Sequence, residues 1–278
     1  MLYTIVQREE DNGHVWISAT TTCSLGDPND ALVKATAALV RKSYGEEIII
    51  SSAIEVMAAE IVDGTFQMEY LVAAIRASLP NPDAEGDKPP ALTTYRSQSA
   101  EMVAKGALAA AYQFEYPAAP QEGTPNPNQP ILGFDGWAMI RGADGGFTLV
   151  LIQTKATEDQ NCPPREAHKL ANECRCIPRD KAPLCRALSV LARLLQEDPL
   201  LPAVMKMLEL LGRDRLPDMH IAPVIVRGTP GGQIDDLQPI RQASTDFSPA
   251  TGRGMVVSIG VPLADFGKKV MQKARETA

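Results

Sequence analysis

The hydrophobic and polar positions divide the chain into short segments of alternating period. Leu2 to Val6 and Val15 to Thr21 flank Asn12-Gly13 and predict a β-hairpin. A helical period follows from about 30 to 42, opened by Asn29 or Asp30 as cap and closed near Gly45. Glu46 to Val62 and Phe66 to Leu79 predict two more helices, split at Asp63-Gly64. Four prolines and Gly86 between 80 and 90 break the period and mark a linker.

Beyond the linker a helix is expected from about Ser97 to Tyr112, then an extended loop carrying five prolines between Pro117 and Pro130. Two apolar runs around Asp144-Gly145-Gly146 predict a second hairpin, ending in Gln153-Thr154-Lys155. A cysteine-bearing segment follows, with helices at about 182 to 196 and 200 to 211 and strands at His220 to Val226 and Met255 to Val261. A polar, Gly-rich loop is expected between those strands, and a closing helix from Ala264 to Glu276. This order predicts an α/β protein with a mixed sheet in an α/β sandwich. Two regions are expected: a β-hairpin plus helices at 1–80, serving as an accessory or interaction region, and an α/β domain at 91–278 with a Cys-containing insertion at 160–186.

The 278 residues are 45% hydrophobic and 22% charged, ordinary for a globular chain. No run approaches a membrane span and no signal-peptide pattern opens the chain, so a cytoplasmic protein that does not enter the membrane is expected. The odd number of five cysteines argues against a disulfide framework. A net charge of −7 opposes a broad nucleic-acid grip. Between Asn161 and Arg193, however, seven Lys or Arg face three acids, a stretch that suits phosphate contacts or a solvated helical face.

The chemistry concentrates in the second hairpin. Phe147 to Ile152 is apolar on both faces, yet the strand ends in Gln153 and Lys155, which share a face. Seventeen residues separate Gln153 from Asp135 on the preceding strand. A buried ammonium is costly unless paired or used. The bland readings are a turn at Asp135-Gly136, a strand-end lysine reaching solvent, and Glu101 as an exposed i,i+4 partner of Lys105.

Gly133-Phe134-Asp135-Gly136, an apolar strand, then Gln153-Thr154-Lys155 resembles the PD-(D/E)XK nuclease superfamily, most closely its Mrr-type restriction endonuclease branch, in which Gln can replace the second acid. The motif covers about 25 residues, and the shared core would run from about Tyr95 to Arg227. The resemblance implies a restriction endonuclease-like fold and a Mg²⁺- (or Mn²⁺-) dependent deoxyribonuclease of restriction or anti-phage defence. Asp135, the Gln153 carbonyl and the Thr154 backbone carbonyl would hold the metal, Lys155 would stabilise the attacking hydroxide, and Glu101 would be a further acid. DNA is the implied substrate, with a helicase or ATPase subunit to bring it and room for an oligomer.

Two alternatives stay open. One is a catalytically inactive nuclease-fold assembly subunit, favoured by Gln153 and the negative charge. The other is a metal or redox sensor using Cys162, Cys174, Cys176 and Cys185 with His168 nearby. These thiols are either structural Zn²⁺ ligands or small reduced hydrophobes, and their spacing lacks the usual C-x2-C pairs.

Overall fold

In the computed structural model, residues 2–59, 66–83, 94–116, 135–142, 146–177, 181–196 and 198–276 are described. Strands β1 (Thr4–Asp11) and β2 (His14–Thr20) form the first hairpin, closed at Asn12 and Gly13 with φ of 50° and 81°. Asparagine and glycine tolerate that left-handed backbone, as the primed turn requires. Helices α1 (Ala31–Ser43), α2 (Glu46–Ala58) and α3 (Met68–Ala77) follow, then α4 (Thr94–Tyr112). Asp30 caps α1, accepting from the Val33 and Ser24 backbone amides at 2.9 and 2.7 Å.

Next come β3 (Gly136–Arg141), β4 (Phe147–Thr157), α5 (Arg165–Cys176), α6 (Lys181–Leu194), α7 (Leu201–Gly212) and β5 (Met219–Arg227). Two short 3-10 turns flank α8 (Gln238–Ala243), and β6 (Thr251–Ser258) and α9 (Leu263–Arg275) close the described fold.

The strands form one mixed sheet in the order β1-β2-β6-β5-β4-β3. The four inner strands are parallel and the two edge strands antiparallel to their neighbours. Side-chain alternation then fills two cores. Val150 and Ile152 of β4, Val224 and Val226 of β5, and Met255 and Val257 of β6 face α1, α4 and α9. Leu149 and Leu151, Ile221 and Ile225, and Val256 face α5, α6, α7 and α8. The architecture is therefore an α/β sandwich with helices on both faces of a mixed sheet.

Three expectations change. Within the expected 1–80 accessory region, β1, β2 and α1 do not stand apart from the rest, because β2 pairs with β6 along its length and α1 packs against α9 and α4. The cysteine-bearing segment is helix α5 over β4 and β5, not an insertion. The expected loop between β5 and β6 contains α8 and its flanking 3-10 turns, whose buried Ile234, Leu237, Ile240 and Phe247 anchor it to the sheet. The Pro117–Pro130 loop and most of the 80–90 linker lie outside the described residues. No helix among the described residues is long and apolar enough to cross a membrane.

At the end of β5 the buried Arg227 guanidinium pairs with the buried Asp236 carboxylate, Nε to Oδ2 at 3.4 Å, and donates to the Asn161 carbonyl at 3.3 Å. Removing one partner strands a charge in the core. Asp236→Ala should therefore lower unfolding free energy in urea by about 3–5 kcal/mol. Lys206→Ala, which removes an exposed pair with Glu209, should leave it nearly unchanged, because solvent screens that pair.

Candidate active site at the end of the second hairpin

β3 pairs with β4 from Arg141↔Phe147 to Gly136↔Ile152 and ends there, while β4 runs on to Thr157. Asp135 N–H donates to the Ile152 carbonyl at 3.1 Å, so Ile152 turns its backbone polar groups toward β3. Thr154, two residues on, does the same by the period of the strand. Its N–H has no β3 carbonyl to meet and donates to Asp135 Oδ2 at 2.6 Å. The Thr154 carbonyl projects from the same edge, beyond the end of β3.

Gln153 and Lys155 point to the other side of β4, toward α5, and meet one carboxylate. Glu173 Oε2 accepts from Gln153 Nε2 at 2.9 Å and from Lys155 Nζ at 2.8 Å. The shared face expected of Gln153 and Lys155 is thus present, and the lysine is paired rather than snorkelling. Sequence reading missed Glu173. The available signal was Glu166 and Glu173, seven residues apart on one side of α5. Thr157 Oγ1 donates to Glu166 at 2.9 Å, so the two acids track β4 together.

From the opposite face α4 contributes Glu101 and Lys105. They do not form the exposed i,i+4 pair of the bland reading: both are partly buried, and no ion pair within 4.0 Å joins them among the described residues. Lys105 lies against Gly136, where any Cβ would come within 3.0 Å of the lysine Cε. The glycine leaves the room that the lysine side chain fills.

Burial dominates the electrostatics. It pushes the Glu101 carboxyl up to about 7, the Asp135 charge adds to this, and Lys105 and Lys155 oppose it. Burial also raises Asp135, against the Thr154 N–H bond and Lys155; Glu173 pushes it further up and Lys105 pulls it down. Lys105 is held below the usual lysine range by burial, which Glu101 and Asp135 offset. Asp135 therefore feels charges from both faces of the sheet, and Glu101 on the α4 side feels Lys155 on the α5 side.

Several polar atoms here have no protein partner. Gln153 Oε1 and Thr154 Oγ1 are buried and accept no hydrogen bond among the described residues. Buried acceptors are ordinarily satisfied, so such atoms call for an explanation. Asp135, the Gln153 amide oxygen and the Thr154 carbonyl are hard oxygen donors of the kind Mg²⁺ or Mn²⁺ takes, and the orphaned Gln153 oxygen fits that role. Among the described residues no three His, Cys, Asp or Glu side chains gather as a metal-binding group. Glu101, Asp135 and Glu173 therefore do not gather as one three-acid set, and a cation here would keep several waters.

The same result bears on the cysteines. Cys174 is buried in the core, Cys176 two residues on is exposed, and Cys185 is half-buried on α6. Residues two apart on a helix do not face each other, so α5 separates the first two. Cys162 is exposed, and desolvation with the Asp236 carboxylate nearby pushes its thiol up to about 11. The expected Zn²⁺ set of Cys162, Cys174, Cys176 and Cys185 does not assemble. His168 is exposed on α5.

Comparison with protein-family models and with curated proteins returned no match.

The raised Glu101 carboxyl has a consequence for stability. A proton retained on Glu101 in the folded state but lost in the unfolded state stabilises the fold below about 4.5, and that contribution disappears as pH rises to about 7. Glu101→Gln should therefore gain stability relative to the wild type between pH 4.5 and about 7, with no further gain above. Urea midpoints of both proteins across that range provide the check.

Proposed function

We propose that this protein is a metal-dependent endonuclease that hydrolyses phosphodiester bonds in DNA, with a restriction endonuclease-like core built from α4, β3, β4, α5 and β5. The observation that carries the reading is the meeting of Asp135, Gln153 and Lys155 at one end of the β3–β4 hairpin, with buried oxygens left unpartnered there. Three requirements of phosphodiester hydrolysis have candidates at this edge: oxygen donors for a cation, a cationic group beside the attacking water, and neutralisation of charge on the phosphate.

The Thr154 N–H holds one oxygen of Asp135 and leaves Oδ1 to face a ligand. Lys155, carried on a rigid strand, orients the attacking water and stabilises the negative charge that develops as it loses its proton. Glu173 restrains Lys155 and Gln153 and supplies the second carboxylate that Gln153 lacks. Its reach from α5 compensates for the amide in the strand. Bound Mg²⁺ or Mn²⁺ would polarise the phosphate and make its water more acidic.

The overall charge of −7 fits a protein that receives DNA from a helicase or ATPase subunit. The basic residues after β4 are partly committed: Arg175 to Asp246 at 3.1 Å, Lys181 to Asp214 at 2.6 Å and Lys169 to Glu166 at 3.9 Å. A second reading, a nuclease-like subunit without activity, is favoured by the closed Lys155–Glu173–Gln153 contact and the lack of a three-acid cluster among the described residues.

Incubation with supercoiled, linear and single-stranded DNA in Mg²⁺ or Mn²⁺ separates the two. The proposal expects cutting that Lys155→Ala reduces by about 100-fold or more, the scale for losing one charge-stabilising group. No cutting by the wild type, with or without an ATPase partner, would support the inactive subunit. Equal cutting by both would place the activity elsewhere. In the same assay Gln153→Glu should lower the Mg²⁺ concentration needed for half-maximal rate, because a carboxylate binds the cation more strongly than an amide oxygen.

A further inference from the structure

We propose that Lys105 is a second phosphate-binding cation of this site, holding a phosphate oxygen from the α4 side of the sheet opposite Lys155. The assignment rests on the phosphodiester reading of the same edge and adds a residue that the sequence motif does not contain.

Three observations carry it. Lys105 is partly buried, yet its ammonium makes no hydrogen bond and no ion pair within 4.0 Å among the described residues. A lysine kept only for packing would close on Glu101, one turn away, and it does not. Its Cε and Nζ run against Gly136, the residue between Asp135 and the β3 ladder, at 3.0 and 3.6 Å from where a Cβ would stand. The ammonium is thus directed toward the end of the hairpin. Asp135 feels both Lys105 and Lys155, and Glu101 feels both as well, so the two ammoniums bracket one locus.

Lys155 lies on the α5 face with Glu173, and Lys105 on the α4 face with Glu101. At the same end of β4, Thr154 Oγ1 and Gln153 Oε1 are buried without a partner among the described residues. A tetrahedral dianion or diester at that edge would offer oxygens to both sides. An uncommitted ammonium in a poorly solvated position is the group that gains most from such an anion.

The test is titration of inorganic phosphate into the metal-free 278-residue chain, followed by calorimetry and by ¹H–¹⁵N spectra. The variants are Lys105→Met and Lys105→Arg, each first shown to melt cooperatively. Saturable binding by the wild type, weakened at least tenfold in Lys105→Met and partly restored in Lys105→Arg, is the expected result. Equal affinity in wild type and Lys105→Met, or no saturable binding at all, overturns the assignment. Failure of the nuclease reading stays distinguishable. Lys105-dependent phosphate binding without any DNA cutting keeps the anion site and removes hydrolysis. Cutting that needs Lys155 and is indifferent to Lys105 removes only this inference.

Discussion

The hydrogen bond from the Thr154 N–H to the Asp135 carboxylate determines the rest of the site. An edge strand that stops early leaves its neighbour with unpaired backbone groups, which are costly when buried. β3 stops at Gly136 while β4 continues to Thr157. Asp135 takes the first unpaired amide with its side chain and so ends the hairpin as a cap would. The burial of that carboxylate raises its pKa, and the amide hydrogen bond works against the rise. One oxygen is thereby fixed, and beside it the buried Gln153 amide oxygen is left without a protein partner among the described residues.

From that point the period of the strand distributes charge to both faces. Lys155 and Glu173 meet on the α5 side, and Lys105 and Glu101 approach on the α4 side. Three acids against two lysines sum to −1 when all are ionised, and to zero while Glu101 keeps its proton. Such a locus is close to neutral and attracts a hydrated divalent cation weakly. Binding of that cation would favour loss of the Glu101 proton, so cation affinity and the protonation of Glu101 are linked.

Much of the fold was legible because its strands are short, apolar and bounded by turn residues. The Asn12-Gly13 hairpin, α1, α4 and the paired strands of the second hairpin fall close to their expected bounds. Helix α5 was not legible: its cysteines drew attention to a metal pattern, while Ala167, Leu170, Ala171 and Cys174 form its buried stripe. The region between β5 and β6 read as loop because glycine and polar residues outnumber its few anchors. At the site, Asp135, Gln153 and Lys155 were visible from spacing and strand period. Glu173 and Lys105 were not, since each reaches the strand edge from a separate helix and only the packing of both faces brings them there. The expected boundary after residue 80 failed for a similar reason. Pairing of β2 with β6 joins segments far apart in sequence.

The most direct measurement is Mn²⁺ titration followed by paramagnetic broadening of assigned ¹H–¹⁵N resonances. The account predicts early, selective loss of the Thr154 backbone amide and the Gln153 side-chain amide, abolished by Asp135→Asn. Broadening that begins instead at Cys162, Cys176 or scattered surface acids, with Gln153 and Thr154 unaffected, would contradict it.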